Sequence, residues 1–325
     1  MRLPRRRFLQ LAGTAIATAA APRFARALDY PTRPVHLIAG YAPGGVVDIT
    51  ARLIAQPLSE QLGQSFVVEN HPGAGNNLAT EEVVRALPDG YTLLEANASN
   101  SWNTAIYQNL NFDFLRDIAP VASIMRSFNV MVVNPSVPAK TVPEFIAYAK
   151  ANPGKINMGS AGIGSSPHLY GELFKTMAGV DLVTVHYRGA GPALPDLIGG
   201  QIEVMFGSVV SCIGYIRAAK LRALAVTSAT RAAILPDLPP IGDAVPGYEG
   251  NDWQGIGAPK DTPAEVIGKL NGEVNKALAD PGFKARLADL GADAFASSPA
   301  EFGQYVADYT AKWAKVIRAA GIKAE

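Results

Sequence analysis

The chain has 325 residues, 48% of them hydrophobic, with 29 basic and 28 acidic side chains. That length and apolar content suit one large or two medium domains, and the near-neutral balance leaves no electrostatic footprint for nucleic acid or an anionic membrane. Cys212 stands alone, so no internal disulfide forms and a packed core must supply the stability.

The chain opens with Arg5, Arg6 and Arg7 ahead of an alanine-rich apolar stretch ending at Ala25, Arg26 and Ala27. A basic start, a short apolar centre and a small-residue cleavage site describe a secretory signal peptide over residues 1–27, cleaved near Ala27. Arg5 and Arg6 before Phe8 and Leu9 point to twin-arginine export into the periplasm. The apolar stretch is short of the roughly 20 residues that a membrane-spanning helix needs. Removing residues 1–27 takes six arginines and no acid, which leaves 23 basic and 28 acidic residues and a formal charge of −5. Any anion bound by such a chain is held by local geometry rather than by net charge.

Val35 to Ala39 is a buried-strand run. After it, Tyr41, Ala42, Pro43, Gly44 and Gly45 lead into a helical pattern with Val47, Ala51, Ile54, Leu58 and Leu62 on one face, closed by Gly63. Strand, glycine loop and helix start together leave first-turn N–H groups unpaired beside the positive end of the helix dipole, a cradle for a small carboxylate that needs no Lys or Arg. Asp48 suits the helix N-terminus and pairs with Arg52 four residues on, a structural role as well as a candidate ligand contact. Phe66 to Val68 predicts a second strand, residues 77–87 a helix, and Tyr91 to Leu94 a third strand. The order βαβαβ predicts a parallel, doubly wound sheet.

Val121 to Val133 begins a second set with a long β-branched stretch, and Thr141 and Glu144 have capping-box spacing. Strands at 156–159, 183–187, 204–206 and 223–226 alternate with helical patterns and predict a second α/β unit. Thr262 and Ser298 each precede a proline and stand three residues before a glutamate, the pattern of two further helix starts. Phe302, Tyr305, Tyr309, Trp313 and Ile317 form the core stripe of the last helix.

A second glycine and hydroxyl loop, with Ser160, Ala161, Gly162, Gly164, Ser165, Ser166 and His168, also follows a strand and precedes a helix. Ser165 or Ser166 can cap that helix while free amides and hydroxyls face a ligand. If the two loops end the sheets of separate domains, they face each other across a cleft. Tyr187 and Arg188 follow a further strand; Arg188 can pair with a ligand carboxylate, although an exposed loop arginine is ordinarily just solvated. No dinucleotide fingerprint, Walker pattern or cysteine metal cluster occurs, so neither cofactor nor metal is expected. A serine hydrolase is the enzyme alternative. It lacks a G-x-S-x-G elbow at Ser165 or Ser166, and its triad would need His168 or His186, so catalysis is not expected.

Tyr30 to Pro34, Tyr41 to Gly45 with Asp48, Ala51 and Arg52, Val67 to Gly75, Pro88 to Leu93, the 159–168 loop and Tyr187 to Ala193 stand in an order that resembles the substrate-binding proteins of tripartite tricarboxylate transporters, the Bug receptors. The likeness covers almost the whole chain after the leader. It implies an α/β Venus flytrap of the periplasmic binding protein type II-like kind, two doubly wound domains joined by crossing strands with an interdomain cleft. Domain 1 would comprise 28–128 and 252–325, and domain 2 would comprise 129–251. The resemblance also implies that residues 41–48 and 160–168 hold a carboxylate through backbone amides, hydroxyls and water, with Asn97, Ser99 and Asn100 in ligand-contacting positions. Asn76 and Asn77 replace the family's usual glycine and asparagine, and His186 its usual proline. The expected function is capture of a small organic acid by a monomer, which closes about 124–132 and 251–258 and delivers its cargo to membrane subunits. Arg126, a charge in an apolar stretch at that hinge, can face the cleft or equally take a solvated edge position. The alternative partner is a sensor kinase.

Overall fold

The structure, a computed structural model, describes residues 29–323, so the expected signal peptide and its cleavage site lie outside the described residues. Val35–Ala39 (β1), Val46–Leu62 (α1), Phe66–Asn70 (β2), Asn77–Arg85 (α2) and Thr92–Asn97 (β3) follow in the predicted order. β1 pairs in parallel with both β2 and β3. α2 stops at Arg85, short of Leu87, because a residue that precedes a proline, here Pro88, is pushed out of helical space.

Ala98–Ile106 (α3) and the short Phe114–Asp117 (α4) lead into Ile118–Val133 (β4), a strand of 16 residues. Its first part pairs antiparallel with Asn251–Pro259 (β9), and Asn129 to Val133 pair antiparallel with Val204–Ser208 (β7). Register shifts near Pro120 and Ser123 bend the β4–β9 ribbon. Between these strands lie Val142–Ala151 (α5), Asn157–Ser160 (β5), Ser166–Ala178 (α6), Val183–His186 (β6), Ala190–Gly199 (α7), Val209–Arg217 (α8) and Arg222–Val226 (β8). β5 pairs in parallel with β6 and β7, while β8 runs antiparallel to β4.

The strand order is β2-β1-β3-β9-β4-β7-β5-β6, with β8 and Asp293–Ala294 (β10) also on β4. The parallel sheet expected from βαβαβ holds for β2, β1 and β3, and the crossing strands that the resemblance implies are β4 and β9. Each lobe has three parallel strands, but β4 leaves the first lobe for the second and β9 makes the return trip, so these two are antiparallel to each other and to β7 and β3 respectively.

Ala264–Ala279 (α9), Pro281–Asp289 (α10) and Pro299–Ala320 (α11) complete the chain. α11 buries Phe302, Val306, Tyr309, Trp313 and Ile317. Trp102 of α3 packs 5.4 Å from Trp313, 5.9 Å from Tyr309 and 6.2 Å from Tyr170 of α6, centroid to centroid, so one aromatic cluster joins both lobes. Gly255 lets α11 approach β9, since a Cβ there would collide with the Phe302 ring and stand 2.7 Å from the Ala122 carbonyl oxygen.

The two expected caps part ways. Ser298 Oγ accepts from Glu301 N at 3.2 Å while Glu301 Oε2 accepts from Ser298 N at 2.8 Å, a complete capping box. Thr262 does not cap α9. Its buried hydroxyl donates to Pro259 O at 2.8 Å, closing the preceding turn, and Pro263 becomes an N-cap without a side-chain bond. Ser298→Ala is therefore expected to lower stability by about 1 kcal/mol. Urea unfolding would read this as a lower midpoint at unchanged slope, and an unmoved midpoint would show that the box does not hold α11.

Candidate functional site

Between the lobes lies a space of about 450 Å³, solvent at its mouth included. Five helices direct their N-terminal ends at it. α1 contributes Gly45, Val46 and Val47; α3 contributes Asn97 and Ala98; α6 contributes Ser165, Ser166 and Pro167; α7 contributes Ala190; and α8 contributes Ser208 and Ser211. Tyr41, Ala161, Asp252 and Gln254 complete the lining, which holds no Lys, Arg or His among the described residues. The N-caps Gly45, Gly189 and Ser208 make no side-chain cap bond, so the first turns of α1, α7 and α8 keep N–H groups that no cap has taken. Several positive dipole ends around one space make an anion site that does not titrate.

The first jaw is fixed from behind. Asn70 Nδ2 donates to Tyr41 O at 3.0 Å, and the Tyr41 hydroxyl donates to Ser99 Oγ at 3.0 Å. Gly44 N donates to Asp48 Oδ2 at 3.0 Å and Arg52 Nε to Asp48 Oδ1 at 2.9 Å. Burial alone would raise the Asp48 carboxyl, but the Gly44 N–H and Arg52 hold it below its ordinary value. Asp48 thus shapes the loop and occupies the Gly44 amide, leaving the amides from Gly45 onward at the space. Ala42, Pro43 and Gly44 belong to the loop without lining the space.

Asn97 reaches the space as the cap of α3, accepting from Ser99 N at 3.1 Å. Asn100 lies behind it. Its Oδ1 accepts from Asn97 N at 2.9 Å and Asn76 Nδ2 at 3.0 Å, and its Nδ2 donates to Thr80 Oγ1 at 2.8 Å. Asn76 has a φ of 79°, a left-handed conformation that asparagine tolerates and glycine prefers, which accounts for glycine being usual there.

In the second jaw Ser165 Oγ donates to Gly162 O at 2.7 Å and accepts from His168 N at 3.4 Å. His168 Nδ1 accepts from Gly164 N at 3.3 Å, and burial lowers its pKa to about 4, so the imidazole stays neutral. Ser160 Oγ meets His186 Nδ1 at 2.7 Å behind the loop, and the Tyr187 hydroxyl donates to Asp196 at 2.6 Å. Ala161, Ser165 and Ser166 therefore line the space, while Ser160, Gly162, Gly164, His168 and Tyr187 build the loop that presents them. Ser165 Oγ bonds to backbone and Ser166 lies beside the Asp252 carboxyl. Arg188 offers its carbonyl, not its guanidinium, to Ala42 N at 2.9 Å. Arg126 stacks 3.5 Å from the Phe295 ring centroid and 4.6 Å from that of Tyr305, away from the space.

Ser208, Ser211, Asp252 and Gln254 reach the site without being singled out by sequence. Asp252 and Gln254 alternate with Trp253 and Gly255 on β9, a polar pair in an otherwise apolar strand, and that alternation is the signal they left. Asp252 Oδ1 accepts from the Tyr170 hydroxyl at 3.0 Å. Burial pushes the Asp252 carboxyl up to about 6, with hydrogen bonds from Ser166 and Tyr170 restraining the rise.

The family described as "Tripartite tricarboxylate transporter family receptor" matches residues 50–322. The chain belongs to this receptor family. Among solved structures, it is 37% identical to "R. palustris Rpa4515 with adipate", over 90% of this chain and 99% of that one, with a TM-score of 0.88. It is 34% identical to the periplasmic binding protein BugD, over 91% and 100%, with a TM-score of 0.88. To MatC (Rpa3494) from Rhodopseudomonas palustris with bound malate it is 31% identical, over 89% and 100%, with a TM-score of 0.85. No described helix is long and apolar enough to cross a membrane.

The receptor's jaws touch. Besides the Ala42–Arg188 bond, Trp102 Nε1 donates to Gly164 O at 2.7 Å and the Tyr107 hydroxyl to Ile163 O at 2.8 Å. A Cβ on Gly191 would overlap the Pro43 carbonyl oxygen. Gly191→Ala should therefore hold the jaws apart while leaving each lobe folded. Hydrogen exchange at the Ala42 amide should quicken by about tenfold or more, and an unchanged rate would mean that these segments do not meet in solution.

Proposed function

We propose that this chain is a periplasmic receptor that captures a small organic acid between its lobes and delivers it to the membrane subunits of a tripartite tricarboxylate-type transporter, without making or breaking a bond. The observation that carries this reading is the convergence of five helix N-termini on a space with no basic side chain. Carboxylates suit such a site, and the adipate and malate held by similar proteins are both carboxylates. The chain works as a monomer exported by the twin-arginine route. Gly45, Val46, Asn97, Ala161, Ser165 and Ser166 face the cargo, and β4 and β9 bend near 124–132 and 251–258 as the lobes close. The lobes divide at residues 128 and 252.

Gly45 supplies the test. Its φ of −87° and ψ of 172° suit any residue, and a Cβ there would stand 3.7 Å from the Ala190 Cβ, inside the closing gap. Gly45→Val should fold normally and fill the site. In a thermal-shift screen of small organic acids, at least one saturating acid should raise the wild-type midpoint by about 5 °C or more. The same acid should leave Gly45→Val unmoved. A panel of mono-, di- and tricarboxylates that moves neither protein would end the carboxylate assignment.

A further inference from the structure

We propose that the acid bound by this receptor also carries an ammonium group, and that Asp252, Gln254 and Ser208 hold that ammonium at the floor of the cleft. The proposal rests on the carboxylate reading above and assigns the other end of the cargo. Asp252 is 1% exposed, Gln254 2% and Ser208 3%. All three line the space, and Asp252 Oδ2, Gln254 Oε1 and Ser208 Oγ have no hydrogen-bond partner in the protein. A buried acceptor left unmade costs free energy, and a buried carboxylate oxygen costs more than a neutral one. At its other oxygen the same carboxylate shares the Tyr170 hydroxyl, which lies 3.0 Å from Oδ1 and 2.7 Å from Asn251 O.

The three atoms belong to one surface. Asp252 and Gln254 are two residues apart on β9 and so share a face. Asp252 pairs with Ser127 of β4 and Ser208 with Asn129, again two residues apart, which puts Ser208 on that face as well. An ammonium has three donors and no acceptor, the complement of three acceptors. The cargo's carboxylate then meets the helix N-termini and its ammonium meets the floor.

A second carboxylate at the floor would face Asp252 with nothing to compensate it. The other titratable groups beside Asp252 are Tyr170 of α6, Tyr305 and Tyr309 of α11 and Tyr41 after β1. Glu95 of β3 is a buried acid beside Tyr41 whose neutral form burial favours. No cation is among the groups that line the space. A dicarboxylate could therefore dock only by sharing a proton with Asp252.

The two cargo classes give opposite pH dependence. Burial sets the unliganded Asp252 near 6, and an ammonium needs it ionised, so amino acids should bind fully above that pH and weaken as Asp252 takes up a proton below it. A dicarboxylate needs the proton and should tighten in the same interval. Calorimetry with succinate, glutarate and adipate, their matched partners 3-aminopropanoate, 4-aminobutanoate and 5-aminopentanoate, and the L-α-amino acids reads this directly at pH 7.5 and pH 5. At least one amino acid should bind, about tenfold more weakly at pH 5. Asp252→Asn, which keeps the acceptor for Tyr170, should weaken it by about tenfold or more at pH 7.5 and flatten the profile. Should that variant not fold, the wild-type profile alone decides. Dicarboxylates that bind, and tighten toward pH 5, while amino acids do not bind would overturn the ammonium assignment and leave the carboxylate receptor standing. Amino-acid binding indifferent to pH would also overturn it. If no acid of either class binds, both readings fall.

Discussion

The pairing of β4 with β9 is the constraint on which the rest of the molecule depends. It runs from Ile118 opposite Pro259 to Phe128 opposite Asn251, and β4 then continues into the sheet of the second lobe. Because side chains alternate across a strand, one register assigns β9 two tasks. Trp253 points into the core, where its ring lies 5.4 Å from that of Phe302, while Asp252 and Gln254 line the cleft. A slip of one residue would exchange these faces, burying two polar side chains in the core and opening a tryptophan to the ligand. The floor of the site is thus secured by the packing of α11 on the far side of the same strand.

On the carboxylate reading proposed above, the site over that floor holds an anion without a cation. An arginine taken into so closed a space would lose several kcal/mol of solvation, to be recovered only when the ligand arrives. Helix N-termini avoid that loss, since their donors are backbone groups whose orientation the helix has already fixed. Each contributes about 0.3–1 kcal/mol when exposed and up to about 2 when partly buried, so several acting together rival one buried ion pair. Asp48 shows the discipline this requires. Its carboxylate is a competing anion at the mouth of α1, and the structure satisfies it inside the loop with Gly44 N and Arg52.

Much of this was legible in the sequence for a local reason. Glycine loops between a strand and a helix announce an open helix N-terminus, and those at Gly44–Gly45 and Gly162–Ser166 do end beside the space. The parallel triplets β2-β1-β3 and β7-β5-β6 follow from alternating strands and helices. No local pattern encodes the antiparallel pairing of β4 and β9, which joins segments more than a hundred residues apart, and only the family resemblance placed crossovers near 124–132 and 251–258. Thr262 misled for a related reason: its capping pattern is genuine, but the turn at Pro259 uses the hydroxyl first. Ser208 was hidden because the run Val204 to Ile213 is mostly apolar, and Gly207 and Ser208 alone, without a longer glycine loop, mark where β7 ends and α8 begins. Asp252 lay inside the expected crossover at 251–258, where nothing local marks it as buried. Only the arrival of Tyr170 from α6 and Tyr309 from α11 buries it.

The bonds that close the jaws have a character that bears on release. Ala42 N to Arg188 O, Trp102 Nε1 to Gly164 O and the Tyr107 hydroxyl to Ile163 O are all neutral, and every acceptor is a backbone carbonyl. Each is worth about 0.5–1.5 kcal/mol net, so these three bonds hold only a few kcal/mol, and the ion pair that also crosses between the lobes, Lys312 with Glu249 at 3.4 Å, is solvent-exposed and adds little. A cleft so weakly latched is one whose occupant decides the balance between open and closed, because a ligand shifts that balance by its differential affinity for the two states. A cargo with opposite charges at its two ends gains from the helix termini and from Asp252 together only when the lobes are shut. On the proposed reading, the polarity of the pocket, positive at the jaws and negative at the floor, couples recognition to closure. A receptor that must surrender its cargo is better served by that arrangement than by a strong latch of its own.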